Sequence, residues 1–395
     1  MSDSHIYQFA QTLQESASQH RRHLHRHPEL AFEEVQTADY AAQVLEGLGF
    51  EVSRGFGKTG LAAHLPTNNL GPRFLLRFDM DALALQEQTG LDFASTKAGT
   101  MHACGHDGHV AIGLTVAKIL AELKNELPGS YYLLFQPAEE IGQGAAAMIA
   151  DGAVDFIQPD YAMAVHLWPE EPAGWLGINQ GPVMAGCKDV SITLHGTGGH
   201  GGRPQKAVDS ILASAHLITA LQSIVSRKLD PLDSGVYSIT QIHAGSNNNV
   251  IPDRVFMSGK PRFFTEEAEG VIVNSTNRIC EGVAEAFGCE VEVEFGTKIP
   301  PTVNDAAVSQ AASLAAQRMG PEFEIENKFK LMGSEDMSLF LQLVPGAMFF
   351  VGAGREEPEK RFPLHHPCMD IDESSLIIAA TFLLETCQQL AKTAG

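Results

Sequence analysis

Basic residues are scarce in this chain: 27 Lys and Arg stand against 48 Asp and Glu, a formal charge of −21. Such an excess of negative charge repels phosphate backbones and anionic headgroups, so no nucleic acid is expected among its partners. Long apolar runs are missing too. Nowhere do about 18 uncharged apolar residues follow one another, which argues against a transmembrane helix and a membrane partner. The stretch from Met1 to Arg22 is polar and holds no apolar run of signal-peptide length, so a cytoplasmic location is expected. Cysteine is sparse. Cys104, Cys187, Cys280, Cys289, Cys368 and Cys387 are widely scattered, which predicts reduced thiols in place of a disulfide framework, five of them as packing residues. No internal repeat or low-complexity tract is evident.

What is present is an ordinary globular balance of 44% hydrophobic and 19% charged residues over 395 positions, too long for one ordinary core. Apolar residues over 6–50 fall at helical spacing, with Pro28 interrupting the first helix, so two helices open the chain. Compact apolar runs at 61–65, 74–78, 131–135 and 161–165 read as strands and 110–123 as helix, which together predict an α/β domain with a sheet covered by helices. Near Met184 the texture changes. A strand at 190–194, a helix at 207–226, strands near 236–242 and 254–263, a helix at 266–287 and a strand at 290–294 give the order of a small α+β sandwich. Past Pro300 and Pro301 the first texture returns, with a buried strand at 347–351 and a last helix at 374–390. The expected division is therefore 1–184 and 301–395 as one split domain, with 185–300 inserted.

The densest chemical signal is Met101-His102-Ala103-Cys104-Gly105-His106-Asp107-Gly108-His109. Imidazole and thiolate suit zinc and its neighbours, and a glycine between Cys104 and His106 permits a turn that aims both at one point. The competing reading is a surface loop with ordinary histidines. Glu139 and Glu140 follow a predicted buried strand, where adjacent carboxylates point in different directions and can divide metal binding from proton transfer. Acidic pairs are also common on solvated surfaces, but open α/β sheets place their sites at the carboxyl ends of strands. His166 ends another strand, and His365 and His366 precede Pro367. With Cys104, His106 and Glu140 they supply the mixed N, S and O donors of a two-metal centre. Asp79 and Asp81 end a further strand and suit the orientation of ligand histidines, with structural capping as the alternative.

These segments, in this order, resemble the M20 metallopeptidase family, and in particular its aminoacylase-like branch of hippurate hydrolases, auxin-conjugate hydrolases and N-acetyl-diaminopimelate deacetylases. The likeness runs from His25-Arg26-His27-Pro28-Glu29-Leu30 to Leu364-His365-His366-Pro367. It implies Cys104, His106, Glu140, His166 and His365 as ligands of two divalent ions (zinc, manganese, cobalt or nickel), with Glu139 as general base. His365 is favoured over His366 by the family pattern. The inserted segment resembles a lid and dimerisation domain, implying a homodimer. Within it His200, in Gly198-Gly199-His200-Gly201-Gly202-Arg203-Pro204, matches a histidine that stabilises the oxyanion, often in the partner subunit. Asn249 and Arg262 match positions associated with the substrate carboxylate. Gln205 stands where many relatives have a second lid histidine. The resemblance implies a metal-dependent amidohydrolase of N-acyl amino acids. A metal-dependent dipeptidase, a hydrolase with Cys104 as nucleophile, and a non-catalytic metal- or ligand-binding protein are the rival readings.

Overall fold

A computed structural model describes residues 4–393. The chain divides into two compact units. The larger runs to Val183, resumes over Thr302–Lys330 and continues from Asp336, while the smaller comprises Met184–Pro301 with a short return at Leu331–Glu335.

The main sheet of the larger unit has eight strands, β1 to β8 in chain order: Glu51–Phe56, Gly60–His64, Arg73–Asp79, Ser130–Gln136, Tyr161–Pro172, Trp175–Gly177, Glu324–Glu326 and Gly346–Gly354. Their spatial order is β1-β2-β4-β3-β5-β8-β6-β7. The four central strands, β4, β3, β5 and β8, run parallel, and antiparallel pairings occur on both sides of them. Burial explains the apolar runs: every residue of β8 and all but the first of β3 are buried, as strands covered on both faces require. The helix His106–Leu123 packs into the same core as Leu24, Phe78, Ala312 and Phe382. It lies close on the sheet because a Cβ on Gly113 would come within 2.7 Å of Phe78 and 2.9 Å of Phe135.

The expected fold class holds, with local departures. Three helices open the chain instead of two, His5–Gln11, Gln14–Arg26 and Val35–Gly47. The extra break falls at Thr12, whose N–H and hydroxyl both turn back to the Phe9 carbonyl at 3.0 and 2.7 Å. Strand β1 carries no apolar run and is held by pairing with β2, which sequence periodicity does not show.

In the smaller unit, Gly186–His195 lies at the middle of an antiparallel sheet, between Arg254–Gly259 and Glu290–Ile299. The helices Ser210–Arg227 and Glu266–Phe287 share its core through Leu217, Leu221, Ile272 and Cys280. The first of them begins later than its periodicity suggests because Asp209 caps it, accepting the Leu212 N–H at 3.0 Å. Among the described residues no helix is long and apolar enough to cross a membrane. All six cysteines are free thiols, four buried and two half-buried.

Candidate metal centre

The candidate residues of the larger unit gather where its parallel strands end. Asp79 closes β3, Glu139 and Glu140 follow β4, and His106 opens the helix after a left-handed Gly105 (φ 85°), a conformation that favours glycine. The ladder between β3 and β5 reaches Arg77↔Ala164, two residues before Asp79 on one strand and two before His166 on the other. Of the five non-glycine residues with positive φ among the described residues, two lie near the candidate ligands, Ala138 (φ 55°) and His365 (φ 65°). Both occupy loops that present candidate ligands, and both are held by hydrogen bonds that offset the backbone cost. The Ala138 N–H donates to Glu34 at 2.9 Å, and its carbonyl accepts from Gly144 at 3.1 Å. The His365 N–H donates to the Ala103 carbonyl at 2.8 Å.

Hydrogen bonding fixes the two inner imidazoles. His106 Nδ1 lies 2.9 Å from the Asp81 carbonyl and His166 Nδ1 lies 2.8 Å from the Leu167 carbonyl. A carbonyl only accepts, so both Nδ1 atoms carry a proton, which leaves Nε2 of each ring as the nitrogen available to a metal. His166 Nε2 faces Cys104 Sγ at 3.6 Å. His106 Nε2 lies 3.7 Å from Asp79 and 3.9 Å from Glu140, and His365 Nε2 lies 3.5 Å from the other Glu140 oxygen. Donor atoms within 4.8 Å of one another form overlapping triplets: Cys104, His106 and His166; Cys104, Glu140 and His365; His106, Glu139 and Glu140. The Asp81 carboxylate accepts the N–H groups of both Glu139 and Glu140 at 3.0 Å, so one side chain aims that pair while its carbonyl aims His106.

The electrostatics of this cluster call for added positive charge. Burial pushes the Cys104 thiol well above its usual pKa, and Glu140, Glu139 and Asp79 push it further. Burial also lifts Glu140, which Asp81 and Asp79 raise against the opposing charge of His106, to about 7. Burial alone would lower His106, yet Asp79, Asp81 and Glu140 bring it up to about 10. Buried His106 Nε2 and Glu140 Oε1 have no hydrogen-bond partner among the described residues. Unpartnered buried donor atoms are costly, and a divalent cation would satisfy both. The residues therefore fit a metal centre.

His366 is turned elsewhere: its Nδ1 accepts from the Cys368 N–H at 3.1 Å and its ring stacks on Phe362 at 4.6 Å. In the smaller unit, exposed His200 pairs with Val250, and the Gly201 N–H donates to the Asn249 carbonyl at 2.8 Å, so His200 and Asn249 flank one short ladder. Arg262 lies on a separate strand, where its guanidinium donates to the Met332 carbonyl.

Sequence reasoning missed the buried supports. Arg77 donates to Asp79 at 2.6 Å, to Gln136 at 2.9 Å and to Asp336 at 3.0 Å. The signal was available for Arg77, a charged residue inside an otherwise buried apolar strand. Asp336 carries no comparable signal. Beneath His106, Asp107 accepts from Arg21 and lies 2.8 Å from His25 Nδ1.

The pattern of peptidase family M20/M25/M40 matches residues 75–389. N-acetylcysteine deacetylase of Bacillus subtilis is 38% identical over 92% of this chain and 94% of its own. Hippurate hydrolase of Campylobacter jejuni is 38% identical over 92% and 93%. The solved structure of a dinuclear metal binding peptidase of the M20 family from Bacillus subtilis matches with a TM-score of 0.84 at 33% identity, covering 97% of this chain and 99% of that one. With relatives of this kind alike over nearly their whole length, the chain belongs to peptidase family M20/M25/M40, in its aminoacylase-like amidohydrolase branch.

Proposed function

We propose that the protein is a dinuclear-metal hydrolase that cleaves the amide bond of small N-acyl amino acids. The observation that carries this reading is the convergence of Cys104, His106, Glu140, His166 and His365, with Nδ1 of both inner imidazoles engaged by carbonyls and Nε2 left toward the cluster. In the proposed site those five residues hold two divalent ions, zinc, manganese, cobalt or nickel. Ions bound there would polarise the amide carbonyl and bring the pKa of a coordinated water toward about 7.

The remaining work falls to the chain. Glu139, buried and adjacent to a ligand carboxylate, takes a proton from the attacking water and delivers it to the leaving nitrogen. Asp81 keeps Glu139 and Glu140 in fixed directions, and Asp79 holds a full negative charge close to His106. In this reading 185–300 forms a lid and dimerisation domain between catalytic parts 1–184 and 301–395. His200 donates to the developing oxyanion, from the partner subunit of a homodimer, while Asn249 and Arg262 receive the substrate carboxylate. A cytoplasmic location belongs to the same reading. A nucleophilic Cys104 is disfavoured, because burial and three carboxylates hold its thiol protonated where a nucleophile needs a thiolate.

The test is hydrolysis of N-acetyl, N-benzoyl and N-succinyl amino acids and of dipeptides by metal-depleted protein, before and after adding each of the four ions. Cleavage restored by metal supports the proposal and shows which substrates are preferred. Cleavage undiminished by metal depletion overturns it.

A further inference from the structure

Two histidines of the dense 101–109 segment, His102 and His109, take no part in the proposed ligand set. His109 lies one helical turn beyond His106 and is 1% exposed. Its ring centroid is 4.7 Å from that of His166 and 5.3 Å from that of His106. By proximity it groups with Asp79 and His106 as a third ligand. Its hydrogen bonds assign it otherwise. The Leu167 N–H, which can only donate, points at His109 Nε2 at 3.0 Å, so that nitrogen accepts and the proton sits on Nδ1. Nδ1 in turn faces Asp79 Oδ1 at hydrogen-bond distance. Both ring nitrogens are engaged, and neither has a lone pair left for a metal.

The position of these two bonds is informative. The backbone ladder between β3 and β5 ends at Arg77↔Ala164. Beyond it Asp79 and Leu167 are joined by the His109 ring. Leu167 is also the residue whose carbonyl accepts the His166 Nδ1 proton, and Asp79 turns its other oxygen to Arg77 at 2.6 Å and toward His106 at 3.7 Å. One imidazole thus holds Leu167, the residue whose carbonyl orients one candidate ligand, and the carboxylate that faces the other.

We infer that His109 is a positioning residue that spans the ends of β3 and β5, setting the directions of His166 and Asp79 and so raising metal affinity without binding metal itself. This rests on the proposed assignment of His106 and His166 as ligands. A group in this position ordinarily changes metal affinity by about 10–100-fold.

The experiment compares wild type, His109→Leu and His109→Gln as purified proteins. The readouts are Zn²⁺ dissociation constants by chelator competition, the d–d absorption spectrum of the Co²⁺-loaded proteins, and far-UV circular dichroism with thermal midpoints of the metal-free proteins as a folding check. His109→Leu lacks both hydrogen bonds and is expected to bind Zn²⁺ about 10–100-fold more weakly, with an altered Co²⁺ spectrum. His109→Gln, whose amide offers one acceptor and one donor, is expected to recover most of the affinity and the wild-type spectrum. Leu and wild-type proteins with equal affinity and equal spectra overturn the inference alone. A Gln protein as impaired as Leu, with a changed Co²⁺ spectrum, also overturns it, since that is the behaviour of a lost ligand. If the Leu protein does not fold, the Gln protein decides on the same criteria. A wild type that takes up no metal overturns the ligand assignment and this inference with it.

Discussion

His25 offers a test of the charge network around Asp107, next to the candidate ligand His106, because its contribution to stability has a defined pH dependence. It is 1% exposed on the helix Gln14–Arg26, with Nδ1 at 2.8 Å from Asp107 and Nε2 at 3.2 Å from Glu87. Burial alone would lower its pKa. The Asp107 charge and the hydrogen bonds to Asp107 and Glu87 prevail and lift it from the usual 6.5 to about 9. A histidine that binds its proton more tightly when folded contributes stability that is complete below its unfolded pKa and is lost as pH rises through the folded value. At about 1.4 kcal/mol per unit, the gap between 6.5 and about 9 corresponds to about 3 kcal/mol. His25→Leu should therefore destabilise the protein by about 3 kcal/mol more near pH 6 than near pH 10. The chain's two tryptophans, Trp168 and Trp175, both lie in the larger unit, so fluorescence-detected urea unfolding reports on the part that contains His25. Metal-free wild type and variant, measured side by side, share the titrations of groups that do not face His25, and these cancel in the difference, whereas Asp107, Glu87 and His102 lose its influence in the variant. A destabilisation that stays flat or grows between about pH 6 and pH 10 would show that His25 is not held as an imidazolium.

Glu139→Gln should lower kcat by about a hundred- to ten-thousand-fold while leaving metal content unchanged, since it removes a proton acceptor and no proposed ligand. Retained turnover would remove Glu139 from the chemistry. Of the tandem histidines, His365→Ala should release metal while His366→Ala should not, because His365 is 3.5 Å from Glu140 whereas His366 is stacked on Phe362. Metal analysis after dialysis decides between them. Gly144→Ala should destabilise by about 3 kcal/mol or more, because its Cβ would lie 1.6 Å from the Pro137 carbonyl oxygen in the loop that carries Glu139 and Glu140. Its thermal midpoint, and its activity relative to wild type, measure the effect.

How far such a site can be read without a structure depends on whether its information is local. Cys104 and His106 announce themselves because a thiol, an imidazole and a glycine fall within three residues, and the acidic pair because it follows an apolar run. The strands behind them are legible for the same reason, since a strand buried on both faces must be apolar almost throughout. Strand β1 is not, because it is made by its partner, and neither is the break at Thr12, because a hydroxyl turning back on its own helix leaves apolar spacing intact. Support of the donors is a different kind of information. Arg77 meets Asp336 across 259 residues, and His25 meets Asp107 across 82, pairings that no spacing rule reaches. Which nitrogen of His106 or His166 is free is fixed by a carbonyl, that of Asp81 just past the end of β3 for the one and that of the next residue, Leu167, for the other, and no spacing rule says that either carbonyl meets the ring. His109 is the sharpest instance. Composition and proximity both class it with the candidate ligands, and only the direction of one backbone N–H sets it apart from them. Residue chemistry in this protein is written in its motifs, whereas residue role is set by the hydrogen-bond partner on the far side of each ring. Variants chosen to test role must therefore change the partner's bond and keep the shape, as His109→Gln does.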